Sequence, residues 1–196
     1  GPNSITTYGD LVAVAVEATV KQDNGKVVFF NLEGVFVKEI TVGALPDMIT
    51  FTPNGKKLLV ANEGEPSKDY TNDPEGSISI IELSKGINNA TVSTITFESY
   101  NNKKYALLNK GVRIFGKDAT VAQDLEPEYI TVIEDGSMAY VVCQENNALL
   151  VIDLTNNTLK DIMPLGFKDH NKGTPSVKSY VLNELVANWP ELGTPV

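Results

Sequence analysis

An all-β architecture of about three four-stranded antiparallel units, closed by a short irregular or helical C-terminal tail, is what this sequence predicts. Three observations carry it. One three-part phrase is written three times along the chain. Each copy closes on a fourth short apolar run, and the runs are near six residues long, rich in β-branched residues, with Asn-Gly or Asp-Gly at the first turn of two copies. The step from Pro2 to Pro46 is about 44 residues, the length of one β-propeller blade, and that from Pro46 to Pro127 is about 81, one blade plus an insertion. The chain is therefore expected to be a β-propeller fragment.

The elements follow in order. In the first blade, 1–44, Pro2-Asn3-Ser4-Ile5 leads into Leu11 to Glu17, then Gly25 to Leu32, then Phe36 to Gly43. The second, 45–99, runs from Pro46 to Phe51 through Pro53-Asn54-Gly55-Lys56 into Leu58 to Glu63, Gly76 to Leu83 and Val92 to Phe97. Residues 100–123 are the insertion. The third blade, 124–170, takes Pro127 to Val132 through Glu134-Asp135-Gly136-Ser137 into Ala139 to Glu145, Asn147 to Leu154 and Leu159 to Gly166. Ile5, Ile49 and Ile130 should lie on the innermost strands. Residues 171–196 read as a tail or linker to a following domain: Val177, Tyr180, Val181, Leu185 and Trp189 fit one helical face, while Val177 to Leu182 fits a strand equally well.

Composition narrows the partners. The 196 residues are 42% apolar and carry a net charge of −9, so the chain can bury a core and repels phosphate backbones and anionic lipid. Nucleic acid and membrane insertion are not expected: the apolar runs are far shorter than the roughly 20 residues of a membrane helix, and nothing reads as a signal peptide. Cys143 is the only cysteine and reads as a small buried hydrophobe. Because a propeller closes with about four to eight blades, three leave two open edges. The chain is thus expected to be a piece working beside neighbouring domains of a parent protein, and to self-associate through its open blades.

The phrase Pro-Asp-x-Ile-x-x-Thr-Pro-Asn-Gly-Lys before a Val-Ala-Asn strand resembles bacterial surface propellers with YVTN-type repeats. Five further phrases resemble the choice-of-anchor I family, which also includes proteins named after a mesenchyme-specific cell surface glycoprotein. They are Leu45-Pro46-Asp47-Met48 through Glu63-Gly64-Glu65-Pro66-Ser67, Gly111-Val112-Arg113-Ile114-Phe115-Gly116, Gln123-Asp124-Leu125-Glu126-Pro127-Glu128-Tyr129, Gln144-Glu145-Asn146-Asn147-Ala148 and Leu165-Gly166-Phe167-Lys168-Asp169-His170. The resemblance implies a secreted, periplasmic or surface-attached bacterial propeller, often fused to phosphatase, nucleotidase or phytase-like esterase domains. The tail from Gly173 resembles the lead into a phytase-like domain.

Antiparallel order within a blade places the loop before the first strand and the loop between the second and third strands at one end. That end collects the acid. Glu17, Asp47, Glu126, Glu128 and Glu145 are candidate ligand-binding residues there, with Arg113, the only arginine, as a structural partner of a carboxylate or a receiver of an anion. The densest piece holds Glu63, Glu65, Asp69, Asp73 and Glu75 against Lys68 alone. Such oxygens suit calcium, although the spacing is no EF-hand and a solvated loop stiffened by Pro66 and Pro74 is the plainer reading.

Nucleophilic catalysis is poorly supported, because His170 is the only histidine and no Gly-x-Ser-x-Gly elbow occurs. One His and one Cys give no zinc site. The expected function is a binding or scaffold module whose acidic face takes calcium. The rival is a calcium-dependent phosphoesterase, phytase-like or alkaline phosphatase-like, which would need cationic groups beside the metal that this chain largely lacks.

Overall fold

The computed structural model describes residues 1–168 and 194–195. Twelve of its strands form three four-stranded antiparallel sheets, each in sequence order, so every connection inside a sheet is a hairpin. The first holds β1 (Pro2–Tyr8), β2 (Leu11–Val16), β3 (Asn24–Phe30) and β4 (Phe36–Ala44). The second holds β5 (Pro46–Phe51), β6 (Lys57–Asn62), β7 (Ser77–Glu82) and β8 (Thr91–Ile95), and the third β9 (Tyr129–Val132), β10 (Met138–Cys143), β11 (Ala148–Asp153) and β12 (Thr158–Pro164). β1 lies against β5, and β5 against β9, so the first strands of successive sheets adjoin as the inner strands of propeller blades do. Ile5, Ile49 and Ile130 are on those strands, as the repeat predicts.

Turn chemistry sets the register. Gly55 and Gly136 carry the positive φ, 66° and 73°, that closes the first hairpin of the second and third blades, and their N–H groups donate to Thr52 O and Ile133 O at 2.8 and 2.9 Å. At Gly55 a Cβ would also strike the Tyr8 ring, so a side chain is excluded twice over.

The pattern of burial follows from position in the stack. In a strand, successive side chains point to opposite faces, so a blade with a neighbour on each side needs apolar residues at consecutive positions. The middle blade has them. Leu58, Leu59, Val60 and Ala61 are each fully buried, and so are Ile80 and Ile81 on β7. Neighbours in sequence feed different cores: Leu59, Ala61, Ile78 and Ile80 join the third blade, whereas Leu58, Val60 and Ile81 join the first. In β2 and β10 burial instead alternates with partial exposure, and Val12, Val14, Tyr140 and Val142 line half-covered outer faces.

The insertion folds as helix. A 3-10 turn over Glu98–Lys103 runs into α1 (Lys104–Lys110), which stops at left-handed Gly111, whose N–H donates to the last turn. α2 (Val121–Asp124) starts from a capping box in which Thr120 accepts from the Gln123 N–H and the Gln123 side chain accepts from the Thr120 N–H. Leu107, Val112, Val121 and Leu125 thereby enter the core between the second and third blades. Residues 165–196 form a separate compact unit, in which β13 (Phe167–Lys168) pairs antiparallel with β14 (Thr194–Pro195). Asp169, His170 and the segment from Lys172 to Trp189 lie outside the described residues.

Candidate carboxylate site

The loops expected at one end of the blades meet there and are tied from blade to blade. Asn3 Nδ2 donates to Pro46 O at 3.1 Å, Gln22 Nε2 to Glu65 O at 3.1 Å, and Gln123 Nε2 to Asp73 O at 3.0 Å. The Gly76 N–H donates to Ala122 O at 3.0 Å, and a Cβ at Gly76 would collide with the Leu125 carbonyl, so only glycine lets α2 come this close.

Five carboxylates gather at this end from four segments: Asp47 at the start of β5, Glu63 after β6, Glu126 and Glu128 from the lead into β9, and Glu145 from the β10–β11 turn. Each is half-buried. Burial, then the charges of Asp47, Glu65 and Glu145, lift Glu63 to about 7. Burial, then Glu63, Glu145 and Asp124, lift Glu126 to about 8. Glu128 is also lifted to about 8, by burial and by its hydrogen bond to Glu145, while the same hydrogen bond holds Glu145 below the usual range. Burial alone raises Asp47. Glu145 Oε2 is shut from solvent with no donor to it among the described residues, a place that a proton held by Glu128 would fill. Cys143, fully buried beneath, has its thiol pushed well up by burial and by Glu128, Glu126 and Glu145, which keeps it inert.

The run from Glu63 to Glu75 does not stay together. Glu63 joins Asp47, Glu126, Glu128 and Glu145, with Glu65 close enough to raise it. Asp69 instead closes a local turn, accepting from Ser67 Oγ and Thr71 Oγ1 at 2.8 Å each, and Tyr70 takes φ 57° there. Asp73 faces Asp124 across a cavity of about 20 Å³, with its Oδ1 buried and unpartnered, and Glu75 lies nearer Glu98. Among the described residues no group of three or more His, Cys, Asp or Glu side chains is arranged to hold a metal ion.

Two further candidates sit apart. Glu17 pairs with the Gly1 amino group at 3.0 Å, a contact that lowers it. Arg113 makes no ion pair within 4.0 Å among the described residues; its guanidinium lies 5.0 Å from the Phe115 ring centroid, at a distance from which it still favours the charged forms of Glu145 and Asp124.

Sequence reasoning puts Asn146 in a loop at this end but gives neither it nor Asp124 a role, and the pair fixes the site's floor. Asp124 is 6% exposed, accepts from the Phe115 N–H at 3.0 Å and from the Gly116 N–H, and receives Asn146 Nδ2 at 3.1 Å. Asn146, fully buried, also donates to Arg113 O and Asp124 O and accepts from the Glu126 N–H at 3.0 Å. The Thr120-x-x-Gln123 capping box was the sequence signal available, since it starts a helix that delivers Asp124.

Three stacked four-stranded sheets with their loops gathered at one acidic end define a β-propeller module. The choice-of-anchor I domain model matches residues 1–178, and the chain belongs to that family. A search of curated protein sequences finds no match. Among solved structures, hydrazine synthase of Kuenenia stuttgartiensis is similar with a TM-score of 0.55 and 14% identity, covering 84% of this chain and 50% of that one. The β-propeller domain of Cps50 (Swd1) from Myceliophteria thermophila gives 0.51 and 10%, covering 83% and 43%. A functionally unknown protein from Desulfotomaculum acetoxidans gives 0.51 and 13%, covering 84% and 42%. These likenesses concern the fold, and the chain spans about half or less of each. No helix among the described residues is long and apolar enough to cross a membrane.

Proposed function

We propose that this chain is a binding and scaffold module of a surface-attached protein, working beside other domains, and that its carboxylate end takes up a cation, with calcium the best match. Family membership supports the surface location. The observation that carries the binding reading is the gathering of Asp47, Glu63, Glu126, Glu128 and Glu145 at one end, close enough to raise one another and with Glu126 and Glu128 at about 8; they are not pre-arranged around an ion, so uptake would draw them together. Such a cluster holds protons in place of counter-ions, and a hard cation that prefers carboxylate oxygens displaces them. Binding should therefore release protons and strengthen as pH rises from about 6 to about 8.5.

Calorimetric titration with calcium in two buffers of different ionisation enthalpy tests this. Heats that differ between buffers, and that vanish in Glu126→Gln/Glu128→Gln, support the reading; buffer-independent or absent heats in the parent protein sink it. A phosphoesterase is less well supported, because the only arginine lies exposed over Phe115, outside any ion pair among the described residues. The half-covered apolar rows on the outer faces of the first and third blades, Val12 and Val14 on one and Tyr140 and Val142 on the other, support pairing with another sheet, either a second copy or a further part of the parent chain.

A further inference from the structure

Between the first and second blades, at the carboxylate end, lies a cavity of about 350 Å³. Small-molecule sites run from roughly 300 to 1,000 Å³, so this one admits a single ring-sized ligand. Its rim is made by Asn24, Thr41, Thr94 and Thr96, all exposed, and its one charged group is Glu75. The floor is Ser77, only 6% exposed, beside the Gly43 backbone. Fully buried Asn62 stands behind it, and its Nδ2 donates to Ser77 Oγ at 3.1 Å and Ser79 Oγ at 2.9 Å. Ser77 therefore accepts from Asn62, while its own O–H proton has no acceptor among the described residues and can be given to a ligand. A Cβ at Gly43 would lie 2.6 Å from Ser77 Oγ and 2.8 Å from Asn62 Cγ, so glycine is what leaves this pair undisturbed.

The lining selects by chemistry. It has no Lys, Arg or His, so an anion would find no counter-charge and would face Glu75. It has no aromatic ring, so a flat heterocycle would find nothing to stack on. Its polar groups are hydroxyls and an amide, each able to donate and accept, with one carboxyl whose burial and whose neighbour Glu98 raise it, and Val42, Ala44 and Pro74 supply small apolar surface between them. We propose that this cavity binds a neutral pyranose, held by the hydroxyls of Thr41, Ser77, Thr94 and Thr96 with Glu75 accepting. It shares no residue with the group of Asp47, Glu63, Glu126, Glu128 and Glu145, so it stands apart from the cation reading.

Saturation-transfer NMR with methyl glucoside, methyl galactoside, methyl mannoside and N-acetylglucosamine, all in the presence of a chelator, tests it. At least one sugar should show transfer. In Thr94→Val/Thr96→Val, a near-isosteric change at two exposed positions, one on β8 and one just past it, that should leave the melting curve unchanged, its affinity should fall about tenfold or more through two lost hydrogen bonds. Thr91→Val, exposed on the same strand but away from the cavity, should bind as the parent does. No transfer from any of the four sugars, or equal changes in both variants, overturns the proposal, and because calcium is chelated throughout, either result leaves the cation reading where it was.

Discussion

The two seams of the middle blade are built from opposite faces of the same strands and are closed in different ways. Toward the third blade, Leu59, Ile78 and Ile80 meet Val141, Leu150 and Ile152, and the insertion adds Leu107, Val112, Val121 and Leu125 to the same core. Toward the first blade, Leu58, Val60 and Ile81 meet Ala13, Ala15, Val27 and Phe29 with no insertion, and the seam ends in an open cavity. Apolar area removed from water is the main stabilising term, so the seam sealed by the insertion should be the stronger. The first blade is then the part expected to open first, and amide exchange should be faster in β2 and β3 than in β10 and β11.

The largest effect is expected in the stronger seam. Leu59→Ala should cost about 2–5 kcal/mol, since the residue is fully buried and the site is held from both sides, whereas Val14→Ala on the half-covered outer face should cost about 1 kcal/mol or less. Urea denaturation measures both. Equal costs would mean that the outer face is covered in solution, and sedimentation of the parent protein would then show the self-association that covers it.

Next in size is the polar tie of the same seam. Asn146→Ala would strand the Glu126 N–H and the carbonyls of Arg113 and Asp124, buried or partly buried groups that pair with this one side chain. A loss of about 2–4 kcal/mol follows, against a change within about 0.5 kcal/mol for Asn24→Ala, exposed at the other seam. If Asn24→Ala proves the costlier, the ranking of the seams is wrong.

How much of this was legible beforehand depends on range. The strands were, because each is announced locally: Leu11 to Glu17 was expected and β2 spans Leu11–Val16, and Asn147 to Leu154 was expected where β11 spans Ala148–Asp153. The acidic end was legible too, since antiparallel order fixes which loops share it. What sequence could not give was which carboxylates meet. Glu63 to Glu75 looked like one group because it is contiguous, yet the turn at Asp69 and the contacts of Asp73 with the insertion pull it apart. Glu63, Glu126 and Glu145 meet only because two blades stack, and no local pattern encodes the offset between stacked sheets. The helices of the insertion were equally hidden, being held mainly by Leu107 and Val121 against residues far along the chain.

A smaller effect comes from pH, and it acts on one seam. Glu63, Glu126 and Glu128 have folded values near 7, 8 and 8 against an ordinary 4.5. Between those limits the folded state holds more protons than the unfolded chain, so their contribution is fully present below 4.5 and is lost as pH rises through 7 to 8. The melting temperature should fall by several degrees from about pH 5.5 to about pH 8.5 in the absence of divalent cations. Glu126→Gln/Glu128→Gln should flatten that slope. The difference in amide exchange between the first and third blades should narrow at high pH, because these carboxyls lie beside the third blade; a difference that widens would place the titrating groups elsewhere.

The smallest expected effect is also the sharpest test of the two-seam description. Leu58 and Leu59 are covalent neighbours, and side chains in contact or sharing a cavity usually couple by about 0.5–3 kcal/mol. Here the pleat sends them to opposite faces, Leu58 into the core with the first blade and Leu59 into the core with the third. Each truncation leaves its own cavity, and the backbone of β6 between them is held in register by β5 on one side and β7 on the other, so relaxation into one cavity has no direct route to the other. The double variant Leu58→Ala/Leu59→Ala should therefore lose the sum of the single losses to within about 0.5 kcal/mol. Because the sum approaches the whole stability of a typical domain, the cycle is best measured with Leu58→Val and Leu59→Val, which remove less and keep the chain folded. A coupling above about 1 kcal/mol in that milder cycle would mean that the strand shifts as a unit when either side is thinned, and that the two cores are one.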